Sequence, residues 1–127
     1  MQEITSDDVP EALGPYSQGI ISGDTVHVSG KSGEHPETGD LPETVSEETK
    51  ATLRNVETVL EAAGTTADSI VEVTVYLTDM DDYAEMNDGY RSYLSEPYPA
   101  RTCVEVSRLP APISVEITAT AELDATE

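Results

Sequence analysis

Apolar residues recur along this chain with two periods, and the switches between them outline one α/β domain. Gly14-Pro-Tyr-Ser-Gln18 reads as a turn leading into a short strand, Gly19-Ile-Ile-Ser22, and Gly23-Asp24 then marks a hairpin turn. Thr25-Val-His-Val-Ser29 alternates, with Val26 and Val28 on one face and His27 and Ser29 on the other. A Gly/Pro-rich loop with room for a short edge strand follows from Gly30 to Pro42. Thr44, with Glu47 three residues on, forms a helix start, and Leu53, Val56, Leu60 and Ala63 repeat at spacings of three and four until Gly64 closes the helix. Ile70 to Leu77 returns to period two, with Val71, Val73, Val75 and Leu77 opposite Glu72, Thr74 and Tyr76. Asp79 and Asp82 can cap a second helix whose Tyr83, Met86, Tyr90 and Tyr93 or Leu94 share a stripe, ending before Pro97. Strands over Ala100–Leu109 and Ser114–Leu123 complete the pattern.

The order β-β-(β)-α-β-α-β-β predicts an α/β sandwich in which both helices cover the same face of one mixed sheet. Alternation in the last two strands assigns Ala100, Thr102, Val104 and Val106, then Val115, Ile117, Ala119 and Ala121, to the helix-covered side. Arg101, Cys103, Glu105 and Ser107 then share the other face with Glu116, Thr118, Thr120, Ser29, Thr74 and Tyr76. That face is too mixed for a core and too uncharged for open solvent, so packing against another copy is expected. Residues 1–13 show no clean period. The expectation is a single domain over 1–127 with loosely held ends at 1–12 and 124–127.

Composition changes this picture in one respect. Asp and Glu number 26 against 6 Lys and Arg, a formal charge of −20 spread along the whole chain, with only two lysines, Lys31 and Lys50. Self-repulsion on that scale strains a compact state in dilute buffer, whereas at about 1 M salt the Debye length falls to roughly 3 Å. The composition therefore reads as that of a protein from a halophilic source, against the blander reading of an ordinary acidic protein. No apolar run is long enough to span a membrane, and the acidic start is unlike a signal peptide. With a single cysteine, Cys103, a cytoplasmic setting is expected.

Against that acidity Arg101 stands out, a scarce guanidinium in a strand-like run, Pro99-Ala-Arg-Thr-Cys-Val-Glu-Val106, and a substrate carboxylate is the partner its planar fork fits. Gly14-Pro-Tyr-Ser-Gln18, Val28-Ser-Gly30, Asn55 with Val59-Leu-Glu-Ala-Ala-Gly64, Tyr76-Leu-Thr-Asp-Met80, Asn87 with Tyr90, Pro99-Ala-Arg101, and Leu109-Pro with Val115-Glu-Ile117 follow one another in order. Together, over about residues 12 to 122, they resemble the Rid (reactive intermediate deaminase, or YjgF) family, in its RidA-like form. The resemblance implies a chorismate-mutase-like sandwich of the α/β (α+β) class: one mixed sheet of about six strands, two helices on one face, and a homotrimer with clefts between subunits. It also implies hydrolysis of enamines and imines, such as 2-aminoacrylate and 2-iminopropionate, to 2-keto acids and ammonia, without a cofactor or metal. The residues matching the family's cleft are Tyr16, Ser29, Gly30, Asn87, Arg101, Cys103 and Glu116.

These residue types suit that chemistry. Arg101 can hold the carboxylate of a 2-imino acid bidentately, and Glu116 can orient or deprotonate water or protonate the departing nitrogen. Gly30 allows close approach of its N–H, Tyr16 can wall the pocket, and Ser29, Asn87 and Cys103 can line it. Cys103 as a nucleophile is disfavoured, because neither His27 nor His35 comes near it in any arguable register. If the last two strands form a hairpin turning at Pro110–Ile113, Ser107 faces Glu116 and Arg101 faces Glu122. Arg101 and Glu116 are then on the order of 20 Å apart, so Arg101 and Cys103 of one subunit are expected to meet Tyr16, Gly30 and Glu116 of its neighbour.

Each residue also has a plainer reading. Arg101 alone fits a structural ion pair, Glu116 a solvated strand position, Tyr16 and Asn87 a packing ring and a helix-face hydrogen bonder, and Ser29-Gly30 strand-end punctuation. The same fold can also serve as a non-catalytic trimeric ligand-binding or protein-protecting module. Spacing gives no zinc or calcium site and no phosphate loop, and a charge of −20 disfavours nucleic acid. Lys31 stands where the family often has Gln, a departure at the pocket mouth that bears on substrate preference.

Overall fold

In the computed structural model, which describes residues 1–123, six strands form one sheet and two helices lie on one of its faces. The elements are β1 (Gln2–Ile4), β2 (Gly19–Ser22), β3 (Thr25–Lys31), α1 (Val45–Ala63), β4 (Ile70–Leu77), α2 (Tyr83–Tyr93), β5 (Ala100–Glu105) and β6 (Val115–Glu122). The sheet order is β1-β2-β3-β6-β4-β5, and every pairing is antiparallel except the parallel one of β4 with β5. This is the mixed sheet that periodicity predicts. No helix among the described residues is long and apolar enough to cross a membrane.

α1 forms where its caps dictate. The Thr44 side chain accepts from the Glu47 N–H at 3.1 Å, and Gly64 ends the helix at φ 98°, a left-handed conformation that favours glycine. α1 packs across β3 and β6, burying Leu53, Val56, Val59 and Leu60 against Val26, Val28, Val115, Ile117 and the β4 residues Val73, Val75 and Leu77. α2 lies beside α1: its Glu85 carboxylate accepts from the Val45 N–H at 3.1 Å, and Gly89 sits against the Ser46 carbonyl. A 3-10 turn, Met80–Asp82, leads into α2, with Asp79 capping it through the Asp81 N–H, while Asp82 makes no side-chain cap.

The structure corrects five expectations. Residues 1–12 are not a loose end: β1 is an edge strand, Ile4 and Val9 are buried, and Gln18 pins the segment by accepting from the Ser6 N–H at 2.7 Å and donating to the Ser6 carbonyl at 3.1 Å. The matching expectation for 124–127 lies outside the described residues. The optional strand expected within the loop from Gly30 to Pro42 is absent: β3 runs on to Lys31, no strand lies from Ser32 to Pro42, and the extra edge strand is instead β1, ahead of the hairpin.

β5 and β6 do not pair, because β4 lies between them. The intervening segment, which carries Pro110 and Pro112, steps over the end of β4: the Val106 N–H bonds the Leu77 carbonyl at 2.8 Å, and the Thr78 N–H bonds the Ser114 carbonyl at 3.2 Å. β5 consequently has the opposite phase. Its register sets Arg101 beside Val73 and Cys103 beside Val75, so these two side chains face the helices, and Val104 is 37 % exposed on the far face. In β4 a register shift between Ile70 and Glu72 turns Ile70 inward and leaves Val71 exposed.

Candidate active site

The predicted site residues fall into two groups on opposite faces of the sheet. The first gathers around an open cavity of ≈ 900 Å³ between the N-terminal segment, the end of β3 and the loop that follows it, with Tyr16, Gly30, Lys31 and Glu116 among its lining. Glu116 projects from β6 directly over Gly30. A Cβ on Gly30 would overlap the carboxyl group, lying 2.7 Å from its carbon, so glycine is what gives the carboxylate its place. Burial pushes the Glu116 carboxyl above its usual range, and the Lys31 ammonium pulls it back.

Tyr16 is 47 % exposed, and its hydroxyl accepts from the Leu13 N–H at 3.3 Å. Ser29 lies under this segment, where its hydroxyl donates to the Ser17 carbonyl at 2.6 Å and so fixes the residue next to Tyr16. Asn55, buried on α1, donates to the Ser32 and Glu34 carbonyls at 2.8 and 3.1 Å, tying the opposite cavity wall to the helix.

The second group surrounds Arg101. Its guanidinium lies over the Tyr90 ring, 4.8 Å from the centroid, and beside the Tyr83 ring at 5.6 Å. It donates to the Tyr83 hydroxyl at 3.0 Å and approaches the Met86 sulfur at 3.8 Å. No carboxylate pairs with it among the described residues, whose ion pairs are Lys50–Glu47 and Arg91–Asp88. The structural ion-pair reading of Arg101 therefore has no partner here. Tyr83, Asn87 and Tyr90 recur at i, i+4 and i+7, which places Asn87 on the α2 stripe that carries the two rings. Cys103 is half-buried against the core, and burial pushes its thiol up despite nearby Arg101, which opposes a thiolate nucleophile.

Arg101 and Glu116 do not meet within one chain, though the reason differs from the hairpin argument. Arg101 aligns through Val73 with Ala119, three positions from Glu116 along β6. That is about 10 Å along the strands and about 10 Å across them, and the two side chains leave opposite faces. Sequence reasoning placed Tyr83, Met86 and Tyr90 on one stripe of the second helix without a site role; in the structure they seat the guanidinium. The signal was available in a chain with six tyrosines and no Phe or Trp, since two of the rings share a stripe facing the one arginine of β5.

Comparison with known proteins agrees with this architecture. A profile described as endoribonuclease L-PSP matches residues 6–123. The chain is 39 % identical over 121 residues to the 2-iminobutanoate/2-iminopropanoate deaminase of Escherichia coli K12, covering 93 % of this chain and 94 % of that one. It is 41 % identical over 119 residues to a RutC family protein of Pyrococcus horikoshii, with the same coverage of 93 % and 94 %. Among solved structures, E. coli TdcF with bound serine superposes with a TM-score of 0.93 at 36 % identity, covering 98 % of this chain and 100 % of that one. RidA from an Antarctic Psychrobacter gives a TM-score of 0.92 at 39 % identity, covering 97 % and 100 %.

Proposed function

The chain belongs to the L-PSP family, also called Rid or YjgF, and from that premise we propose that it hydrolyses 2-imino and enamine acids, such as 2-iminopropionate and 2-aminoacrylate, to 2-keto acids and ammonia. The observation that carries the reading is the unneutralised guanidinium of Arg101, held by aromatic faces in a chain of net charge −20. Aromatic rings attract a cation without cancelling its charge, so the guanidinium keeps its charge and, beyond the N–H groups given to the Tyr83 hydroxyl and the Met86 sulfur, further donors for a carboxylate.

In this mechanism Arg101 fixes the substrate carboxylate and the imine carbon faces the Glu116 side. Glu116 takes a proton from water as the oxygen adds to the C=N carbon, and returns that proton to the nitrogen, giving the neutral carbinolamine. The tetrahedral carbinolamine then passes its hydroxyl proton by way of Glu116 to the amino nitrogen and loses ammonia, its C–N bond breaking as the carbonyl forms. The Gly30 N–H lies beside the reacting centre, Tyr16 walls it, and Ser29, Asn87 and Cys103 line it. Because Arg101 and Glu116 lie on opposite faces of one sheet, the complete site needs a second chain: Arg101 and Cys103 of one subunit meet Tyr16, Gly30 and Glu116 of its neighbour in a homotrimer. The half-buried face carrying Thr74, Tyr76, Thr118 and Thr120, with exposed Val104, is the surface that would pack there. The net charge fits a salt-rich cytoplasm. It also argues against the RNA cleavage in the family's description, since phosphate binding draws on a basic surface that this chain lacks.

The test is ammonia release from enzymatically generated 2-iminopropionate in high salt. Arg101→Ala should lower kcat/KM by roughly a hundredfold or more, the loss expected for a bidentate charge-assisted contact. Glu116→Ala should be similarly impaired, and dissociating and reassembling a mixture of the two should restore activity through hybrid trimers. Wild-type rates from Arg101→Ala would remove the catalytic reading; two inactive variants that never complement would place the site within one chain.

A further inference from the structure

We propose that Lys31 is a positioning residue for Glu116: its ammonium, opening into the cavity, is the counter-charge within the chain that keeps that carboxylate ionised and available to accept a proton. This rests on the deaminase reading for its consequence in catalysis, but not for its electrostatics.

Lys31 is only 5 % exposed, yet it belongs to neither ion pair of the described residues and its Nζ makes no hydrogen bond among them. Its stem is buried, while its Nζ is not among the buried unpartnered polar atoms of the described residues and so keeps access to the open cavity. It ends β3, where a register shift aligns it with Ile117, and it lines the same open cavity as Glu116. Glu116, for its part, receives no hydrogen bond from any described donor, so no N–H or O–H does the work of a counter-charge.

The other groups facing Glu116 do not supply that charge. Tyr76 is its cross-strand neighbour on β4. The N-terminal segment brings Asp7 and Glu11 to the cavity, and the loop after β3 brings Glu34, Glu37 and His35. Four of these are carboxylates, which bring negative charge to the cavity. Within one chain, Lys31 is thus the one lysine or arginine among the described residues that line this cavity, whereas the Arg101 that the proposed trimer brings from the neighbouring subunit is engaged by the substrate carboxylate. The two perturb each other as this requires: burial raises Glu116 and Lys31 lowers it, while burial lowers Lys31 and Glu116 raises it.

The sign follows directly. A neutral side chain at position 31 raises the Glu116 pKa, so a larger fraction of the proton acceptor is already protonated at any given acid pH, and the acid limb of the pH–rate profile moves to higher pH. Lys31→Gln and Lys31→Met, measured at constant high salt, should each shift that limb upward by about one pH unit. Lys31→Arg should leave the limb near its wild-type position. In parallel, the side-chain carboxyl of Glu116 is titrated by carbon-13 NMR in the substrate-free protein, where its midpoint should move in the same direction. That second readout separates this inference from the deaminase reading: a wild type inactive on imines would sink the reading, and the NMR shift would still decide the role of Lys31. An unmoved midpoint in Lys31→Met, the variant kept for its apolar fit to a buried site, or an acid limb that Lys31→Arg fails to restore, would overturn the proposal.

Discussion

Gly30 lacks a side chain where the Glu116 carboxyl group lies, and at this scale a single methyl separates a placed proton acceptor from a displaced one. Gly30→Ala needs no forbidden backbone angle, since Gly30 is not among the positive-φ glycines, so its cost should fall on Glu116 rather than on the fold. We expect kcat/KM to drop about a hundredfold, the scale of a misplacement of about 1 Å. Urea unfolding at constant salt should show no more than about 1–2 kcal/mol lost. A full loss of stability would mean that the glycine serves the sheet instead. Residue type made Arg101 legible, as a guanidinium in an acidic chain, whereas Gly30 and Glu116 were legible only through the family resemblance, since a strand-end glycine and a strand carboxyl each have a plainer reading. The sequence did not make the Arg101 face legible. Alternation in β5 offers Val104 and Val106 as an inward pair, and only the pairing with β4 and the rings of α2 show that the inward place goes to Arg101 and Cys103.

At the scale of elements, α1, β4 and the β2–β3 hairpin were readable because their signals are local: Thr44 and Gly64 bound one helix, and Ile70 and Leu77 bound a run of period two. β1 was not readable, since its three residues bury only Ile4 and owe their strand to β2 across the chain. Nor could nearness in sequence reveal that β4 separates β5 from β6. The joint between the helices is the element contact most open to test. A Cβ on Gly89 would collide with the Ser46 carbonyl oxygen and lie 3.1 Å from its carbon, in the α1 turn that Glu85 also caps. Gly89→Ala should therefore destabilise by about 1–3 kcal/mol in urea unfolding, even though alanine is the better helix former by about 1 kcal/mol. A stabilised variant would mean that the helices can separate at no cost.

For the whole molecule, charge governs the response to solvent. Burial raises the carboxyl groups of Glu48 and Glu116 above their usual values, and burial with neighbouring acids raises Asp82, so the native state binds these protons more tightly than the unfolded chain. Stability then falls as pH climbs through the raised values, and acidification toward the ordinary carboxylate range restores it while also relieving the self-repulsion of a net charge of −20. In dilute buffer the melting temperature by circular dichroism should be higher at about pH 5 than at about pH 7.5. In about 1 M salt both values should rise and the gap narrow, because screening removes the repulsive part. A melting temperature indifferent to salt would contradict the reading of the surface. One consequence follows for traffic over that surface. A small anion drifting along this protein meets a potential that rejects it almost everywhere; because the phenol rings leave the guanidinium's charge intact at the border of the sheet, that spot is a local well in a repulsive landscape, and the same field that turns anions away from the rest of the chain narrows where they can settle.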